Sequence, residues 1–361
     1  MDAIKQHISV GDALWGTMKE LIQIGCISRI KRSIEVMPAV EPENILLLPR
    51  LSEPDETLQT KKVLVRTQAP GLLEGAGFPV RRPFPSQDIP FTLSDPFLLL
   101  DHMGAVEYAP GEAKGAPWHP HRGFETVTYI VDGAFRHRDS HGGGGLITNG
   151  ATQWMTAGSG ILHDEMPPDD LVKQGGLFHG VQLWVNLPRK LKMVPPRYQS
   201  IESDQVELLS SADGTAIIRL ISGELDKYKG PGMTRTPIIY AHVSLTAGSQ
   251  LRILWPQGFN AMVYVLAGEG IAGGDDTRIA EGEGVVLGSG EVLKIRSRAE
   301  NSRTARLEAL VMGGAPIREP VFSYGPFVMN TRSEIVQAIE DFQSGKMGHI
   351  PAAHLLGEDP H

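Results

Sequence analysis

The sequence predicts an all-β protein made of two tandem β-barrels, with one helix near the C-terminus. Three observations support this fold class. Short strand-like runs follow one another at close spacing, which is typical of sandwiches and barrels. The 41 glycines and 26 prolines among 361 residues indicate many turns. The pattern of the first half then repeats in the second half.

The first barrel is expected over residues 62–188, after an N-terminal extension over residues 1–60. Apolar residues at helical spacing predict a helix within residues 1–35, and the prolines and acidic residues that follow indicate a partly disordered linker. The predicted strands of this half are 61–66, 97–100, 124–131, 133–138, 151–156 and 179–187.

The second barrel is expected over residues 197–325, after a connector from Pro188 to Pro196. Its predicted strands are 238–245, 251–255, 261–266, 284–287, 292–296 and 306–312. Thr331 and Glu334 form a capping box that is followed by an apolar stripe. These signals predict a C-terminal helix within residues 330–345, about 12 residues long.

Composition excludes several classes of function. The net charge of −8 argues against direct nucleic-acid binding, because phosphate recognition relies on clustered Lys and Arg. No apolar run is long enough for a transmembrane helix, so no membrane association is expected. Cys26 is the only cysteine, which excludes an intrachain disulfide and a thiolate metal site. A single cysteine suits a reducing compartment, and we expect a monomer in the cytoplasm, the nucleus or both.

Two short motifs carry the chemistry. His119 and His121 are separated by two positions, and so are His163 and Glu165. Residues i and i+2 of a strand point to the same face, so two neighbouring strands can direct three imidazoles and one carboxylate at one point. We interpret that point as a metal site, with Glu165 also the candidate catalytic proton acceptor.

A set of three histidines and one carboxylate suits a divalent first-row metal. The carboxylate favours Fe(II), while Mn, Ni, Cu and Zn remain possible. Four protein ligands leave two positions of an octahedral ion open, as a substrate or O₂ would require. Pro120 suits an edge strand, and Gly158 and Gly160 permit the turn that leads to His163.

Several neighbouring residues leave alternatives open. Glu125 competes with Glu165 as the fourth ligand. The candidates for accepting a hydrogen bond from a ligand histidine are Glu125, Asp164 and Glu107. His137 and His141 are expected at a solvated hairpin end. His102 and His179 are expected either in the pocket or in the core.

An internal repeat suggests that only one barrel holds a metal. The run Tyr129–Gly133 resembles Tyr264–Gly268, and Gly158–Gly160 resembles Gly288–Gly290. Carrying these matches over places His119, His121, His163 and Glu165 on Leu254, Pro256, Leu293 and Ile295. All four ligand candidates become apolar, so we expect one metal per chain, in the N-terminal barrel.

The motifs resemble those of the pirin family of the cupin superfamily over roughly residues 62–350. The matching stretches are Asp95-Pro-Phe97, His119-Pro-His-Arg-Gly-Phe-Glu-Thr-Val127, Gln153-Trp-Met-Thr-Ala-Gly158, Gly160-Ile-Leu-His163 with Glu165, Gln182-Leu-Trp-Val-Asn-Leu187 and Gly325-Pro-Phe-Val-Met-Asn-Thr331. The resemblance implies two tandem cupin barrels of the jelly-roll type. It also implies a metal, normally iron, at His119, His121, His163 and Glu165, and a metal-free second barrel.

The resemblance implies two alternative activities. The first is that of a quercetin 2,3-dioxygenase, which opens a flavonol ring with O₂ and releases carbon monoxide. The second is that of an iron-dependent, redox-sensing co-regulator that binds a transcription-factor complex. The intact ligand set with two open positions favours the enzyme.

Overall fold

The computed structural model describes residues 41–42, 44–298 and 306–351, and the predicted helix within residues 1–35 lies outside them. The described chain forms two β-barrels and a C-terminal helix, which confirms the predicted fold class. None of its helices is long and apolar enough to cross a membrane. The α-helices are α1 (Phe91–Ser94), α2 (Asp169–Gln174) and α3 (Arg332–Gln343). Short 3₁₀ turns cover Ile45–Leu47, Arg189–Leu191 and Ser203–Gln205.

The first barrel consists of a seven-stranded and a four-stranded antiparallel sheet. The large sheet has the order β12 (Arg197–Ile201), β9 (Thr152–Thr156), β6 (Phe124–Asp132), β11 (Gly176–Asn186), β4 (Phe97–Tyr108), β3 (Phe78–Phe84) and β2 (Gly71–Glu74). The small sheet has the order β5 (Ala116–His121), β10 (Ile161–Met166), β7 (Phe135–Asp139) and β8 (Gly144–Ile147).

The second barrel repeats this arrangement. Its large sheet has the order β1 (Val63–Gln68), β22 (Glu283–Leu287), β19 (Ala261–Ala267), β24 (Arg306–Gly314), β17 (Ile238–Thr246), β14 (Ala216–Ser222) and β13 (Glu207–Ser210). Its small sheet has the order β18 (Gln250–Leu254), β23 (Val292–Ser297), β20 (Glu269–Ala272) and β21 (Thr277–Ala280). Two hairpins join β15 (Glu224–Leu225) to β16 (Tyr228–Lys229) and β25 (Phe322–Tyr324) to β26 (Phe327–Met329).

The two barrels exchange their first strands. β1, which the sequence analysis assigns to the first barrel, pairs with β22 at the edge of the second, with Val63 opposite Leu287. β12 leads into the second repeat but pairs with β9 of the first barrel, with Tyr198 opposite Met155. Each barrel therefore has an edge covered by the other repeat, which protects that edge from other pairing. The domain bounds themselves remain predictions.

The large sheets of the two barrels pack against each other. Every residue of β6 is buried, because one face of this strand lines the first barrel and the other lies at the interface. Val127 and Leu183 pack there with Tyr240 and Met312 of the second barrel, and all four side chains are inaccessible to solvent. Such a strand reads as a continuous run of β-branched and aromatic residues rather than as an alternating one.

The C-terminal segment folds back onto the first barrel. The Val328 amide donates to the Arg122 carbonyl oxygen (3.1 Å), next to His121. The Arg122 guanidinium, which is buried, donates through Nη1 to Asp341 Oδ2 on α3 (2.8 Å). The predicted helix is confirmed, with Thr331 accepting a hydrogen bond from the Glu334 amide at its start. Helix α3 therefore holds the end of β5, the strand that carries His119 and His121, in place.

Lys192, in the connector between the barrels, stabilises the same region through hydrogen bonds. Its ammonium group is buried and donates to the carbonyl oxygens of Gly123 (2.8 Å) and Val328 (3.0 Å) and to Asn186 Oδ1 (2.7 Å). All three hydrogens of the ammonium group are thus used, as burial of a charged group requires. The connector, the end of β5 and the C-terminal hairpin form one hydrogen-bonded unit.

The predicted overlay of the two repeats is wrong by one residue on β18. His119 lies opposite His163, whereas Ile253, not Leu254, lies opposite Leu293. The positions that correspond to His119 and His121 are therefore Ile253 and Trp255, which are buried in the core of the second barrel. Leu254 points outward and is 60% exposed, because side chains alternate along a strand. In the corrected register, the second barrel still has apolar residues at the positions where the first has its ligand candidates.

The Arg122–Asp341 pair gives a pH-dependent prediction. Hydrogen bonds from Lys346 and Arg122 lower the pKa of Asp341 from 3.8 to about 2. The ion pair therefore stabilises the fold fully above pH about 4 and loses its contribution as the pH falls toward 2. We expect Asp341→Asn to lower the free energy of unfolding by about 2 kcal/mol at pH 7.

This difference from the wild type should shrink below pH about 4 in chemical denaturation. Glu340→Gln, which changes an exposed carboxylate on the same helix, is the matched control and should have little effect. A difference that persists unchanged down to pH 2 would contradict the ionic origin.

Candidate metal centre

Strand pairing brings the two sequence motifs together. β5 and β10 are adjacent and antiparallel, so that His119 lies directly opposite His163 and His121 lies opposite Ile161. β5 is the outer strand of the small sheet, where the missing N–H of Pro120 is tolerated. The turn before β10 needs Gly158 (φ +49°), where a Cβ would lie 2.1 Å from the Val194 carbonyl oxygen. This turn sets the position from which His163 enters the barrel.

The imidazole nitrogens of the three histidines form a compact group within 4.8 Å of one another. His119 Nδ1 lies 2.8 Å from the Pro117 carbonyl oxygen, and His121 Nδ1 lies 3.2 Å from that of Pro326. A carbonyl oxygen can only accept, so both rings carry their hydrogen on Nδ1. Their Nε2 lone pairs then face each other across 3.1 Å.

His163 completes this group of lone pairs. Its Nε2 atom is buried and has no hydrogen-bond partner among the described residues. Unpaired buried lone pairs are costly, and they converge at one point here. A cation between them would satisfy all three, so the side chains present fit the divalent metal that the sequence predicts.

Burial sets the charge state of these ligand candidates. Desolvation, followed by repulsion from His119, lowers the pKa of His121 and the pKa of His163 well below the usual histidine range. Both rings are therefore neutral at pH 7, which is the form that binds a metal. His119 is half-buried and lies on the more accessible side of the group.

Glu165 lies beside the three histidines without joining their tightest grouping. Its Oε1 accepts a hydrogen bond from Thr128 Oγ1 and its Oε2 one from Gln182 Nε2, each at 2.8 Å. A second compact group contains Glu165, His163 and His137. His163 thus belongs to both groups, and Glu165 approaches the centre from the His163 side.

Glu125, the alternative fourth ligand, faces away from the centre. Its carboxylate accepts from Thr156 Oγ1 (2.7 Å) and from Thr234 Oγ1 (3.1 Å), on the side toward the second barrel. It shares that face of β6 with Val127, whereas Thr128 points into the first barrel toward Glu165. Burial raises the pKa of Glu125. Strand alternation places Glu125 outside the centre.

None of the three expected acceptors serves a ligand histidine. Asp164 forms an ion pair with Arg138, Glu107 is exposed, and Glu125 is committed elsewhere. Backbone carbonyls of Pro117 and Pro326 take this role instead. Pro326 lies in the C-terminal hairpin, 205 positions beyond His121, and no local pattern could have predicted that contact.

The prediction of a solvated hairpin end is wrong for His137 and holds for His141, which is exposed. His137 is fully buried beside His163, because it shares a face with Asp139 on β7, the strand next to β10. The sequence contained a signal for this residue, since His137 and Asp139 have the same spacing as the two metal motifs.

His102 and His179 lie in the core rather than in the pocket. Their Nε2 atoms are 2.7 Å apart, and His102 Nδ1 is 3.0 Å from Tyr264 Oη of the second barrel. Burial lowers the pKa of His179 to about 3, so this ring stays neutral. The pair forms part of the contact between the barrels.

Comparison with known proteins places the chain in one family. The family model for pirin matches residues 77–185, and that for the pirin C-terminal cupin domain matches residues 240–348. A Pseudomonas aeruginosa protein named "Putative quercetin 2,3-dioxygenase" is 41% identical over 75% of this chain and 93% of its own length. Pirin of Homo sapiens is 40% identical over 80% of this chain and 93% of its own length.

A solved structure supports the same family. The crystal structure of a quercetin 2,3-dioxygenase from Acinetobacter baumannii is similar with a TM-score of 0.74 at 39% sequence identity. The match covers 81% of this chain and 99% of that one. A match of this extent includes residues of both barrels.

Substitutions of Glu165 and Glu125 are expected to differ in their effect on metal affinity. Glu165→Gln should weaken binding of a divalent metal by about 100-fold or more, since even an outer partner of a ligand contributes 10–100-fold. Glu125→Gln should leave the affinity unchanged, because its carboxylate faces the second barrel. Calorimetric titration of both variants with Co(II), after a circular dichroism check of folding, measures this. Weaker binding by Glu125→Gln alone would reverse the assignment.

Proposed function

The chain belongs to the pirin family, and we propose that it is a metal-dependent flavonol dioxygenase. Its first barrel would bind one divalent metal through His119, His121, His163 and Glu165. The substrates would be O₂ and a flavonol-like molecule, and the products a ring-opened ester and carbon monoxide. The observation that carries the proposal is the convergence of three imidazole lone pairs beside an oriented carboxylate.

The donor set supports Fe(II) as the resident metal. Imidazole suits several first-row metals, and the carboxylate of Glu165 shifts the preference toward the harder Fe(II) or Mn(II). Ni, Cu and Zn fit the same donors. When bound, the metal would act as a Lewis acid toward the flavonol oxygen and supply redox chemistry toward O₂.

Glu165 is the residue suited to move the proton. A flavonol must lose its 3-hydroxyl hydrogen before its ring reacts as an oxyanion, and a carboxylate within reach can accept that hydrogen. Thr128 and Gln182 each donate to one oxygen of Glu165, so its orientation is fixed before the substrate arrives. Oε1 also lies 3.5 Å from the Gln153 side-chain amide, so Oε2, which accepts from Gln182, is the oxygen with a lone pair for the proton or the metal.

Two aromatic side chains lie against the ring of His121. The ring of His121 lies 5.1 Å from that of Trp184 and 5.0 Å from that of Phe124, between centroids. Phe124 is fully buried, and Val328 of the C-terminal hairpin packs in the same cluster. An apolar wall of this kind suits a planar aromatic substrate and excludes competing hydrolysis.

Relatives support the choice of substrate class. The Acinetobacter baumannii structure and the Pseudomonas aeruginosa protein both carry the name quercetin 2,3-dioxygenase, and both match most of this chain. The activity therefore comes to this chain as a proposal from similarity, joined to the geometry of its own centre.

A second candidate is a metal-responsive binding module. The carbonyl oxygen of Pro326 contacts His121, and the same hairpin exposes Phe322 and Tyr324. Oxidation of a metal at His121 would change the charge felt by this hairpin, and a partner such as a transcription-factor complex would sense the change there. This function requires no turnover, so oxygen consumption separates the two candidates.

The enzymatic proposal predicts flavonol-dependent oxygen uptake. Iron-loaded protein is mixed with quercetin without oxygen, and oxygen is then admitted. We expect loss of the flavonol absorbance and one carbon monoxide for each O₂ consumed. His163→Ala should abolish both metal binding and turnover, whereas His141→Ala, which changes an exposed imidazole, should preserve them. Full metal occupancy without oxygen uptake would refute the enzyme and leave the binding module.

A further inference from the structure

Three neighbouring strands of the small sheet each contribute a pair of side chains to one region of the first barrel. The pairs on β5 and β10 contain the proposed ligands. The third pair, His137 and Asp139 on β7, is almost inaccessible, with exposures of 0% and 2%. His137 lies opposite Glu165 and Asp139 lies opposite His163 across the β7–β10 ladder.

Gln153 fixes which nitrogen of His137 carries the hydrogen. Its Nε2 lies 2.6 Å from His137 Nδ1 and 3.5 Å from Glu165 Oε1. The Glu165 oxygen accepts a hydrogen bond in this contact, so the amide presents its NH₂ group to this side. His137 Nδ1 is then an acceptor, and its hydrogen lies on Nε2, which is 3.7 Å from Asp139 Oδ2.

The same logic extends to His163. Its Nδ1 lies 3.3 Å from His137 Nδ1, and since the latter accepts from Gln153, His163 is the donor of this pair and shares the one lone pair of His137 Nδ1 with Gln153. The lone pair of His163 is then on Nε2, in a ring whose centroid lies 4.3 Å from that of His119 and 4.8 Å from that of His121. His119 and His121 obtain the same tautomer from backbone carbonyls.

We propose that His137 and Asp139 are positioning residues that hold His163 with its hydrogen on Nδ1, so that Nε2 faces the metal centre. This inference rests on the proposed ligand role of His163. Asp139 is itself fixed, because its Oδ1 accepts the backbone amides of His141 (2.7 Å) and Gly143 (2.9 Å). The ring of His137 is held by stacking on Tyr198, with centroids 5.2 Å apart.

His137 is placed to orient a ligand rather than to act as one. Its Nδ1 faces Gln153 and His163, and its Nε2, which is buried and makes no hydrogen bond within the described residues, lies 3.7 Å from the carboxylate of Asp139. A ligand nitrogen would need a lone pair free to face the metal. The stacking partner Tyr198 belongs to β12, the strand exchanged from the second repeat. The strand exchange therefore supports the metal centre through His137.

Asp139→Asn tests which nitrogen of His137, and in turn which nitrogen of His163, carries the hydrogen. The amide keeps the oxygen that caps the turn but presents an N–H donor to His137 Nε2. His137 should then carry its hydrogen on Nδ1, and His163 should shift its hydrogen to Nε2, away from a metal-binding form. A long-range ¹H–¹⁵N spectrum of metal-free protein reads the tautomer of His163 directly. We expect the Nδ1–H form in the wild type and its loss in Asp139→Asn.

Metal affinity provides a second readout. His137→Phe retains the stacked ring but removes both nitrogens, and it should weaken Co(II) binding by about 10–100-fold, as should Asp139→Asn. His141→Phe changes an exposed imidazole in the turn that follows β7. It is the matched control and should bind Co(II) as the wild type does. With Cu(II), the number of nitrogen ligands seen by electron paramagnetic resonance should stay at three in His137→Phe.

The inference would be overturned by an Nε2–H tautomer of His163 in the wild type, or by the loss of one nitrogen ligand in His137→Phe. Wild-type affinity in both variants would also contradict it, and Asp139→Asn decides this if His137→Phe does not fold. A wild-type chain that binds no metal would contradict the proposed centre instead, while the tautomer measurement would still test the positioning role.

Discussion

The three imidazole lone pairs of His119, His121 and His163 are the constraint on which the structure of the first barrel depends. His121 and His163 are buried and His119 is half-buried, and the Nδ1 atom of each ring lies within hydrogen-bond distance of a neighbour, which sets the direction of each Nε2. A buried arrangement of this kind is unfavourable until a cation occupies it. The cluster therefore has the geometry expected of a preformed cation site, and its repulsion would lower the stability of the unliganded protein.

Distant parts of the chain maintain this arrangement. The C-terminal hairpin provides the carbonyl oxygen for His121, and the Arg122–Asp341 pair and Lys192 hold that hairpin in place. The second repeat contributes β12, which carries the ring stacked on His137. The second barrel has an apolar core at the positions where the first has the three histidines and Glu165. It supports the first barrel through packing and strand exchange.

Local patterns predicted what depends on short-range periodicity. The spacing of two placed His119 beside His121 and His163 beside Glu165, and the cap at Thr331 began the helix where it was expected. Contacts between distant segments could not be predicted, such as Pro326 with His121 or β1 with the second barrel. The overlay of the two repeats was wrong at Leu254, because a one-residue difference in loop length between the repeats moves every side chain of the strand to the opposite face. His137 was misassigned because charged neighbours suggested a solvated turn.

Anomalous diffraction from crystals of the iron-loaded protein would locate the metal. We expect one peak per chain, at about 2.0–2.2 Å from Nε2 of His119, His121 and His163 and from a carboxylate oxygen of Glu165. His137 should lie beyond coordination distance and contact His163 only. A peak in the second barrel, or one between His137 and Glu165 that leaves His119 and His121 free, would contradict the account.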